Sequence, residues 1–491
     1  MFFRSMFLVN RITLGFLVFV FLCYSNSSAQ VDLGFMGLLG NPPNDRVNSI
    51  LPQRDGRILI GGAFTMSSGL GVGRLIRYTP EGLVDTSFQT RIGFGANNWV
   101  NAMVELPDGR LLLGGQFAAF NGANVHGVIR LQANGDIDTT FSTPEGTEFM
   151  QRSVEAIAVQ SNGGIIIGGL LRNYNGVTVP NFARLRTDGT LDSAFNVALG
   201  QGFNGVVRSI AILPDGKMLV AGGFTGFNGE NVGCIVRLNA NGTLDNSFRR
   251  NVSGFASAMT VQRNGSILVG GFLSGMASGT NIGNIVRVLP EGDIDTAFAR
   301  AIGTGASSAV RAIIVLNDDK ILLAGNFSRF NGQETGRLMR LNPDGTVDTR
   351  FQDAVGQGAD DDVSTLAVQT NGLLLLGGLF SNFNNQNFPN FLRLSTRTSV
   401  STRLVEVYKT SLCPNPVQNV TVFQYDIPTP TAINLVLHDV LGRTMKSFIQ
   451  NEIQFGAQSF SLDLSDVPTG AYSLVMTSSL GMTVQRIVVA R

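Results

Sequence analysis

Five residues of the sequence combine binding chemistry with positions in irregular loops. Trp99 lies in the loop GFGANNWV, and Asp360, Asp361 and Asp362 lie in the loop GQGADDDV; Trp99 and Asp362 each precede the next turn residue by nine positions. His126 lies in a neighbouring long loop. An aromatic ring beside carboxylates offers stacking and polar contacts to a sugar, or a site for a cation. We take these five residues as the candidate ligand site; the alternative is a solvated rim that contains one Trp by chance.

Catalytic and metal chemistry have little support in the sequence. The two histidines, His126 and His438, fall in separate regions, and there is no Ser/His/Asp order, metal-ligand cluster, phosphate-binding loop or nucleophile elbow. The sequence therefore predicts no catalytic residue, no metal site and no cofactor. One alternative stays open, because acidic residues from different parts of the chain could converge as a carboxylate pair for glycoside hydrolysis.

A repeated unit must position these loops. Residues 207–248 represent it: an apolar run, an Asp-Gly turn, an apolar run ending in Gly-Gly, a long loop, an Arg-Leu pair, an Asn-Gly turn and Leu-Asp-x-x-Phe. The second Gly recurs at intervals of 48 to 54 residues, at Gly62, Gly115, Gly169, Gly223, Gly271, Gly325 and Gly378. The Arg follows 14 to 16 residues later, at Arg77, Arg130, Arg184, Arg237, Arg287, Arg340 and Arg393. The Asp follows each of the first six Arg residues by eight positions, at Asp85, Asp138, Asp192, Asp245, Asp295 and Asp348.

The seventh Asp is found at the other end of the chain. Asp32 and Phe35 have the spacing of the Asp and the Phe in Leu-Asp-x-x-Phe, and they lie at the correct distance before the first turn. A closed ring explains this displacement, because an N-terminal strand then completes the last sheet and removes two open edges. We therefore predict that Asp32 pairs with Arg393. A β-solenoid, the alternative architecture, gives no reason for the displaced strand.

Each unit is predicted to form four short antiparallel strands, which in the representative copy span residues 207–213, 217–224, 234–239 and 243–248. Seven such units predict an all-β fold, a seven-bladed β-propeller closed by an N-terminal strand. The Arg and the Asp of each unit are predicted to form an exposed cross-strand ion pair worth about 0.2–1 kcal/mol. Calcium ligation by the Asp is disfavoured, because one carboxylate per unit is far from the roughly six to eight oxygens that Ca²⁺ needs.

The loops of such a unit divide between two faces. The two tight turns share one face, so the longer loops share the other, where function is more common. One residue of each unit directly precedes the first strand on the long-loop face. These residues are predicted to surround the mouth of a central channel: Arg46, Trp99, Ser153, Val206, Phe255, Ala309 and Asp362.

Composition and the first residues indicate an exported protein. Charged residues make up 14% of the chain and the net charge is +1, so electrostatic binding to nucleic acid or anionic membranes is not indicated. Residues 1–29 are predicted to be a signal peptide: Arg4 and Arg11 accompany a 12-residue apolar stretch that is too short to span a membrane, and a small Ala29 precedes the cleavage point. We expect no transmembrane span in the mature chain, and free thiols at Cys234 and Cys413.

Several motifs recur at fixed spacing between residues 31 and 394: Asp-Gly-Lys, Gly-Gly-Phe-Thr, Phe-Asn-Gly, Arg-Leu-Asn and Leu-Asp-x-x-Phe. In these motifs the chain resembles the delta-60 repeat β-propeller family. That resemblance implies a propeller fold, and it implies no settled activity.

A different pattern begins at residue 409, after a Ser/Thr/Arg-rich linker at residues 397–408. Period-2 alternation predicts a small β-sandwich with strands at residues 420–425, 433–439, 459–464, 471–477 and 483–489. Its motif residues are Pro414, Asn415, Pro416, Asp439, Gly442, Gly470 and Tyr472. In these residues the segment resembles the type A sorting domain of the type IX secretion system of Bacteroidota, although Cys413 stands where that family often has Tyr.

The second resemblance implies recognition by the type IX secretion machinery, export across the outer membrane, removal of the domain, and release or surface attachment. The alternative is an ordinary appended sandwich that binds a ligand. The whole sequence thus predicts a signal peptide at residues 1–29, a propeller at 30–396 and a sorting domain at 409–491.

The predicted location is extracellular or on the outer-membrane surface, reached through the periplasm. We expect a binding or structural role, with a glycan or a protein as ligand. The alternative function is a secreted polysaccharide-active enzyme that uses acidic residues on the long-loop face.

Overall fold

The computed structural model describes residues 30–395 and 410–491, apart from residues 126, 144–152, 275, 278–279, 440–443 and 479–480. The predicted signal peptide and linker, His126 and Gly442 therefore lie outside the described residues. The described part is all-β in class, as predicted, with short helices of six or seven residues. None of its helices has the length and hydropathy of a membrane span.

Seven antiparallel sheets follow one another along residues 30–395, and each has three principal strands. The first strands are Val47–Pro52, Val100–Glu105, Ser153–Val159, Val206–Ile212, Ser253–Val261, Val310–Val315 and Val363–Val368. The middle strands are Ile58–Gly62, Leu111–Gly115, Ile165–Leu170, Met218–Gly223, Ile267–Ser274, Ile321–Gly325 and Leu374–Gly378. The outer strands are Leu75–Tyr78, Val128–Leu131, Phe182–Leu185, Ile235–Leu238, Ile285–Val288, Leu338–Leu341 and Phe391–Ser395.

A small hairpin of two-residue strands interrupts the connection between each middle strand and outer strand. The hairpins are Met66–Ser67 with Leu70–Gly71, Ala119–Phe120 with Ala123–Asn124, Asn173–Tyr174 with Val177–Thr178, Gly226–Phe227 with Glu230–Asn231, Met276–Ala277 with Thr280–Asn281, Arg329–Phe330 with Gln333–Glu334, and Asn382–Phe383 with Gln386–Asn387. These hairpins lie in the long loops of the sequence, so those loops are held by backbone hydrogen bonds.

The second Gly of each Gly-Gly pair faces a bulge in the first strand. A Cβ built on Gly115 would lie 2.0 Å from the carbonyl oxygen of Trp99, and the register of the first strand shifts at this point in all seven sheets. Only glycine tolerates such an approach of backbone to backbone. In the fourth sheet a Cβ built on Gly222 would lie 2.1 Å from the carbonyl oxygen of Val206, so Gly222 takes this position and the predicted Gly223 is one residue too late.

The first Gly of the pair allows the following sheet to pack closely. A Cβ on Gly61 would lie 2.7 Å from Cγ1 of Val100 in the next first strand. The last sheet makes the same kind of contact with the first sheet, because a Cβ on Gly377 would lie 2.6 Å from Cγ1 of Val47. The two ends of the repeat array are therefore packed against each other.

The Arg and the Asp of each repeat form an ion pair whose side chains are at most 26% exposed, so the prediction of an exposed pair is wrong. Arg77 and Asp85 are 2.9 Å apart with side chains only 3% and 8% exposed. The Arg77 guanidinium also lies 3.8 Å from the ring centroid of Phe88 and donates to the carbonyl of Ala133 in the following repeat, at 2.7 Å. The same ion pair recurs as Arg130–Asp138, Arg184–Asp192, Arg237–Asp245, Arg287–Asp295, Arg340–Asp348 and Arg393–Asp32.

The predicted fourth strand is also wrong. In the representative copy, Leu244 forms a single bridge with Leu238 and no strand follows. The reason is the Asp side chain, which accepts hydrogen bonds from backbone N–H groups two or three residues later and so caps a turn or a helix start. In five copies this Asp is the N-cap of a helix: Leu33–Leu39, Thr86–Ile92, Ser193–Ala198, Thr296–Ala301 and Thr349–Val355.

The N-terminal strand joins the last sheet. Gln30 and Val31 pair antiparallel with Ser395 and Leu394. Asp32 Oδ2 lies 2.8 Å from Nη2 of Arg393, which confirms the predicted pairing across 361 positions.

The C-terminal segment forms one connected five-stranded sheet. Its strands are Thr410–Cys413, Val420–Asp439, Thr444–Asp463, Gly470–Ser478 and Gly481–Val489. The two strands predicted at residues 420–425 and 433–439 are one continuous strand whose register shifts allow it to bend. The sheet surrounds a single apolar core, so the predicted sandwich is built from one bent sheet rather than two separate ones.

Replacing Asp138 by Ala is expected to lower the free energy of unfolding by about 3–5 kcal/mol, because the buried Arg130 would lose its counter-ion. Asp136→Ala is the matched control. It removes an ion pair with Arg91 whose side chains are 46% and 50% exposed, and it is expected to cost less than about 1 kcal/mol. Urea unfolding followed by circular dichroism measures both losses, and equal losses would contradict the role of the buried pair.

The same carboxylates predict acid sensitivity. Burial alone would raise the pKa of Asp138 and of Asp245, but hydrogen bonds from neighbouring hydroxyl groups and cationic side chains outweigh it and hold each pKa below its usual range. A carboxylate whose pKa is lowered in the folded state stabilises the fold at pH values above its unfolded-state pKa of about 3.9. This stabilisation is lost as the pH falls from there through the folded-state pKa. Urea unfolding at several pH values should therefore show that the free energy of unfolding decreases below about pH 4, and that it decreases less in the double variant Asp138→Asn and Asp245→Asn. If the double variant has the same pH dependence as the unaltered protein, these two carboxylates are not the cause of the acid sensitivity.

Candidate functional site

The first strands of the seven sheets line one central cavity of about 530 Å³. Its wall is polar because the first strands begin with small, amide or charged side chains. Trp99 contributes the aromatic surface. The other lining residues with polar side chains are Arg46, Asn48, Ser49, Asn101, Glu155, Arg208, Ser209, Ser257, Arg311, Ser364 and Thr365.

The seven residues predicted to surround the channel mouth occupy equivalent backbone positions. Each presents its carbonyl oxygen to a Gly of its own middle strand, about 2 Å from the Cβ that the glycine lacks; this is the second Gly of the pair in every sheet except the fourth, where it is Gly222. The whole residues differ in exposure, from 47% for Trp99 to 4% for Asp362. Trp99 is held through its backbone, which accepts from Gln116 N at 2.8 Å and donates to Asn98 Oδ1 at 2.9 Å. Its indole ring stays half exposed beside the cavity.

The three acidic residues do not form one cluster. Only Asp362 contacts side chains that line the cavity: it lies 3.6 Å from Arg46 and 2.9 Å from Arg311, and it accepts a hydrogen bond from Ser364 at 2.9 Å. Asp361 is exposed and accepts from the backbone N–H of Asp362.

Asp360 holds the small hairpin of its own repeat. It accepts from the backbone N–H groups of Ser381 and Asn382 at 2.9 and 3.0 Å, and Asn44, Asn97 and Asn204 make the same contacts in other repeats. Burial would raise the pKa of Asp360, but the hydrogen bonds from Asn382 and Ser381 lower it. Asp360 thus has a structural role, which is to hold the hairpin of its own repeat. Its role in ligand binding stays a prediction.

Sequence reasoning missed a second set of channel residues, two positions after the first set. All seven line the cavity, and each is the extra residue of the bulge in its first strand. Of the first set, Arg46 and Trp99 line the cavity. Their sequence signal was available, since each lies at a fixed offset from a predicted channel residue. The set is Asn48, Asn101, Glu155, Arg208, Ser257, Arg311 and Ser364.

Hydrogen bonds join neighbouring members of this second set. Asn48 donates to Asn101 at 2.8 Å, Asn101 donates to Glu155 at 3.4 Å, and Arg208 donates to Glu155 at 3.1 Å. Asn101 also donates to Ser153 of the first set, at 2.8 Å. The cavity can therefore offer fixed amide, hydroxyl, carboxylate and guanidinium groups to a polar ligand. Within the part of the chain that the structure describes, no group of His, Cys, Asp and Glu side chains is arranged to hold a metal ion.

The motif residues of the C-terminal segment fasten its last strand. Asn415 donates to the carbonyl of Arg486 at 2.7 Å and accepts from the N–H of Val488 at 2.9 Å. Pro414 accepts from Thr421, Pro416 precedes the bridge that joins Val417 to Val489, and Gly470 and Asp439 are paired in the sheet with Val489 and Tyr472. The hydroxyl of Tyr472 donates to the carbonyl of Pro468 at 2.8 Å. These motif residues thus hold the end of the chain in place.

Two family models match the chain. The model described as "Domain of unknown function (DUF5122) beta-propeller" matches residues 53–88, 106–141, 160–195, 213–248, 262–298 and 316–351. The model described as "Secretion system C-terminal sorting domain" matches residues 411–490. A search of curated proteins returned no match.

Two solved structures from Porphyromonas gingivalis are similar at low identity. PorZ, an essential bacterial surface component of the type IX secretion system, is 13% identical with a TM-score of 0.42, over 92% of this chain and 60% of that chain. Dimeric latent PorU is 10% identical with a TM-score of 0.15, over 91% of this chain and 34% of that chain. This chain therefore spans less than two thirds of either structure's length, and neither similarity is close enough to carry an argument.

The sorting domain directs export to the cell surface or the extracellular space. The repeat matches confirm the resemblance to the delta-60 propeller family, which corresponds to the same repeats. This protein is built from DUF5122 β-propeller repeats followed by a type IX secretion system C-terminal sorting domain.

Proposed function

We propose that the seven sheets form a closed seven-bladed propeller whose centre binds a ligand outside the cell. Closure is supported by three contacts between the array ends: the Gln30–Val31 strand, the packing of Val47 against Gly377, and the hydrogen bond from Arg393 to the carbonyl of Pro80 at 2.6 Å. The last contact is equivalent to the one between Arg77 and Ala133 of adjacent repeats.

The difference between six family matches and seven sheets has a simple cause. Each matched segment ends at the Phe of its Leu-Asp-x-x-Phe motif. The seventh unit has its outer strand at Phe391–Ser395 but its Asp and Phe at positions 32 and 35. A continuous segment therefore cannot match it, although its ion pair and its packing are those of the other units.

The observation that carries the binding proposal is the half-exposed Trp99 beside a polar central cavity. Trp99 is 47% exposed, so part of its apolar indole ring is in contact with water. Covering this surface with a ligand would remove it from water and so favour binding. The cavity volume lies in the range of about 300–1,000 Å³ typical of small-ligand sites. A glycan or a protein segment is the proposed ligand.

We favour a binding or structural role over catalysis. The two carboxylates of the central site are each engaged by arginine: Glu155 by Arg208 at 3.1 Å, and Asp362 by Arg46 and Arg311. A retaining or inverting glycosidase needs one carboxyl group that can donate a proton and a second that faces the sugar. These ion pairs support a fixed recognition surface instead.

The proposed processing follows the order of segments in the chain. Residues 1–29 direct entry into the periplasm, the propeller folds as residues 30–396, and residues 409–491 engage the type IX secretion machinery. The sorting domain is then removed, and the propeller is released or attached to the surface.

Replacing Trp99 by Ala is expected to weaken ligand binding about tenfold or more, because the exposed aromatic contact surface is lost. Binding of the full-length protein to glycan and peptide arrays measures the effect. Phe94→Ala is the control, since Phe94 is an aromatic residue that is 89% exposed and does not line the cavity. The proposal fails if Trp99→Ala binds every array ligand as the unaltered protein does.

Replacing Asn415 by Ala is expected to destabilise the sorting domain by about 1–3 kcal/mol, because two hydrogen bonds to the last strand are lost. The exported share of the protein should fall, with the full-length chain accumulating in the periplasm. Immunoblots of cell fractions measure this share. Asn419→Ala is the control, because Asn419 contributes its backbone carbonyl, which the substitution retains. Unchanged export of Asn415→Ala would argue against this role.

A further inference from the structure

The central cavity carries more positive than negative charge. Three arginines point toward it with side chains that are partly exposed, at 33% for Arg46, 39% for Arg208 and 34% for Arg311. Two carboxylates oppose them, and both are more buried, at 17% for Glu155 and 6% for Asp362. A ligand that enters the cavity therefore meets guanidinium groups before it meets carboxylates.

Two of the arginines share a single counter-ion. Asp362 lies between Arg46 and Arg311, and neither its Oδ1 nor Arg311 Nε has a hydrogen-bond partner although both atoms are buried. The 2.9 Å separation of these two atoms is thus an ion pair without the alignment of a hydrogen bond. Guanidinium groups offer five N–H donors in a planar fork that suits carboxylates, and this pair leaves donors available.

The third arginine is held in place for recognition. Arg208 donates to Glu155, and its guanidinium carbon lies 5.5 Å from the ring centroid of Phe255. These contacts restrict the side chain and reduce the entropy that binding would cost.

The fold itself does not require arginine at these positions. Ser257, Ser364 and Asn48 occupy the equivalent positions in other repeats, with the same bulge beside them. The repeated framework therefore does not require these positive charges, and their exposed guanidinium groups remain able to contact a ligand.

We propose that the cavity binds an anionic saccharide, such as a uronic-acid oligomer, with its carboxylate on Arg208 and Arg311 and a sugar ring against Trp99. This inference rests on the proposed ligand-binding function and specifies its ligand class. The amides of Asn48 and Asn101 and the surrounding hydroxyl groups supply partners for sugar hydroxyls. The carboxylates of an acidic peptide could also pair with the arginines. Such a peptide has fewer hydroxyl groups than a saccharide to hydrogen-bond with the amide and hydroxyl side chains around the exposed indole ring.

The single tryptophan of the chain makes a direct test possible, because indole fluorescence reports on Trp99 alone. The full-length protein is titrated with oligogalacturonate, with a neutral malto-oligosaccharide of equal length, and with oligoglutamate. We expect oligogalacturonate to change the emission at the lowest concentration, and added salt to weaken its binding. Arg208→Gln and Arg311→Gln should each weaken it about tenfold, the loss of a charge-assisted hydrogen bond.

Arg329→Gln is the matched control, since Arg329 lies in a small hairpin, is 59% exposed and pairs with Glu334. Circular dichroism and thermal melts check that each variant is folded. If Arg311→Gln does not fold, the binding measurement on Arg208→Gln alone tests the proposal. Equal binding of the neutral sugar, with no effect of Arg208→Gln, overturns the anionic ligand but retains the Trp99 site. Equal or tighter binding of oligoglutamate overturns the saccharide. No change in emission with any of the three probes, together with unaltered array binding by Trp99→Ala, overturns the proposed binding function as well.

Discussion

The buried pair of Arg and Asp is the interaction on which the propeller depends. Within one repeat the Asp caps the turn that follows the outer strand, and the Arg lies over the Phe of the same motif. Between repeats, the same guanidinium donates to a turn of the next repeat, as Arg77 does to Ala133. A buried ion pair adds little net stability compared with apolar packing, but its geometry is demanding. It therefore fixes the angle at which each sheet meets the next.

The glycine pairs fix the packing of the first strands in the same way in successive repeats. The first Gly admits a side chain of the following first strand, and the second Gly admits a carbonyl of its own. Neither contact involves the side chain of the residue before the first strand. Trp99, Asp362 and Ala309 can thus stand at equivalent backbone positions without disturbing the fold. The framework is the same in each repeat, while the surface that it presents to the cavity differs from one repeat to the next.

The period and its two tight turns were sufficient to predict the sheets, the N-terminal strand and the pair between Asp32 and Arg393. For Leu-Asp-x-x-Phe the same pattern led to the wrong prediction of a fourth strand. Alternating apolar and polar residues also fit a capped turn, in which the Asp side chain accepts hydrogen bonds from backbone N–H groups. Asp360 was chosen for its charge, although the equivalent Asn44 shows that the position needs only an acceptor. Arg208 and Arg311 could not be predicted from side-chain alternation, because each is the extra residue of a bulge that interrupts the alternation in its first strand.

The distribution of charge at the centre follows from this separation of framework and surface. Repeats whose second channel residue is Ser or Asn show that a neutral side chain meets the structural demands there. Burying Asp362 has a desolvation cost, which its two arginines offset only in part because one oxygen of the carboxylate lacks a hydrogen bond. Such an arrangement is poorly explained as a device for stability. It is better explained if an entering ligand binds the arginines, since a second carboxylate would accept hydrogen bonds from the guanidinium N–H groups that Asp362 leaves unpaired.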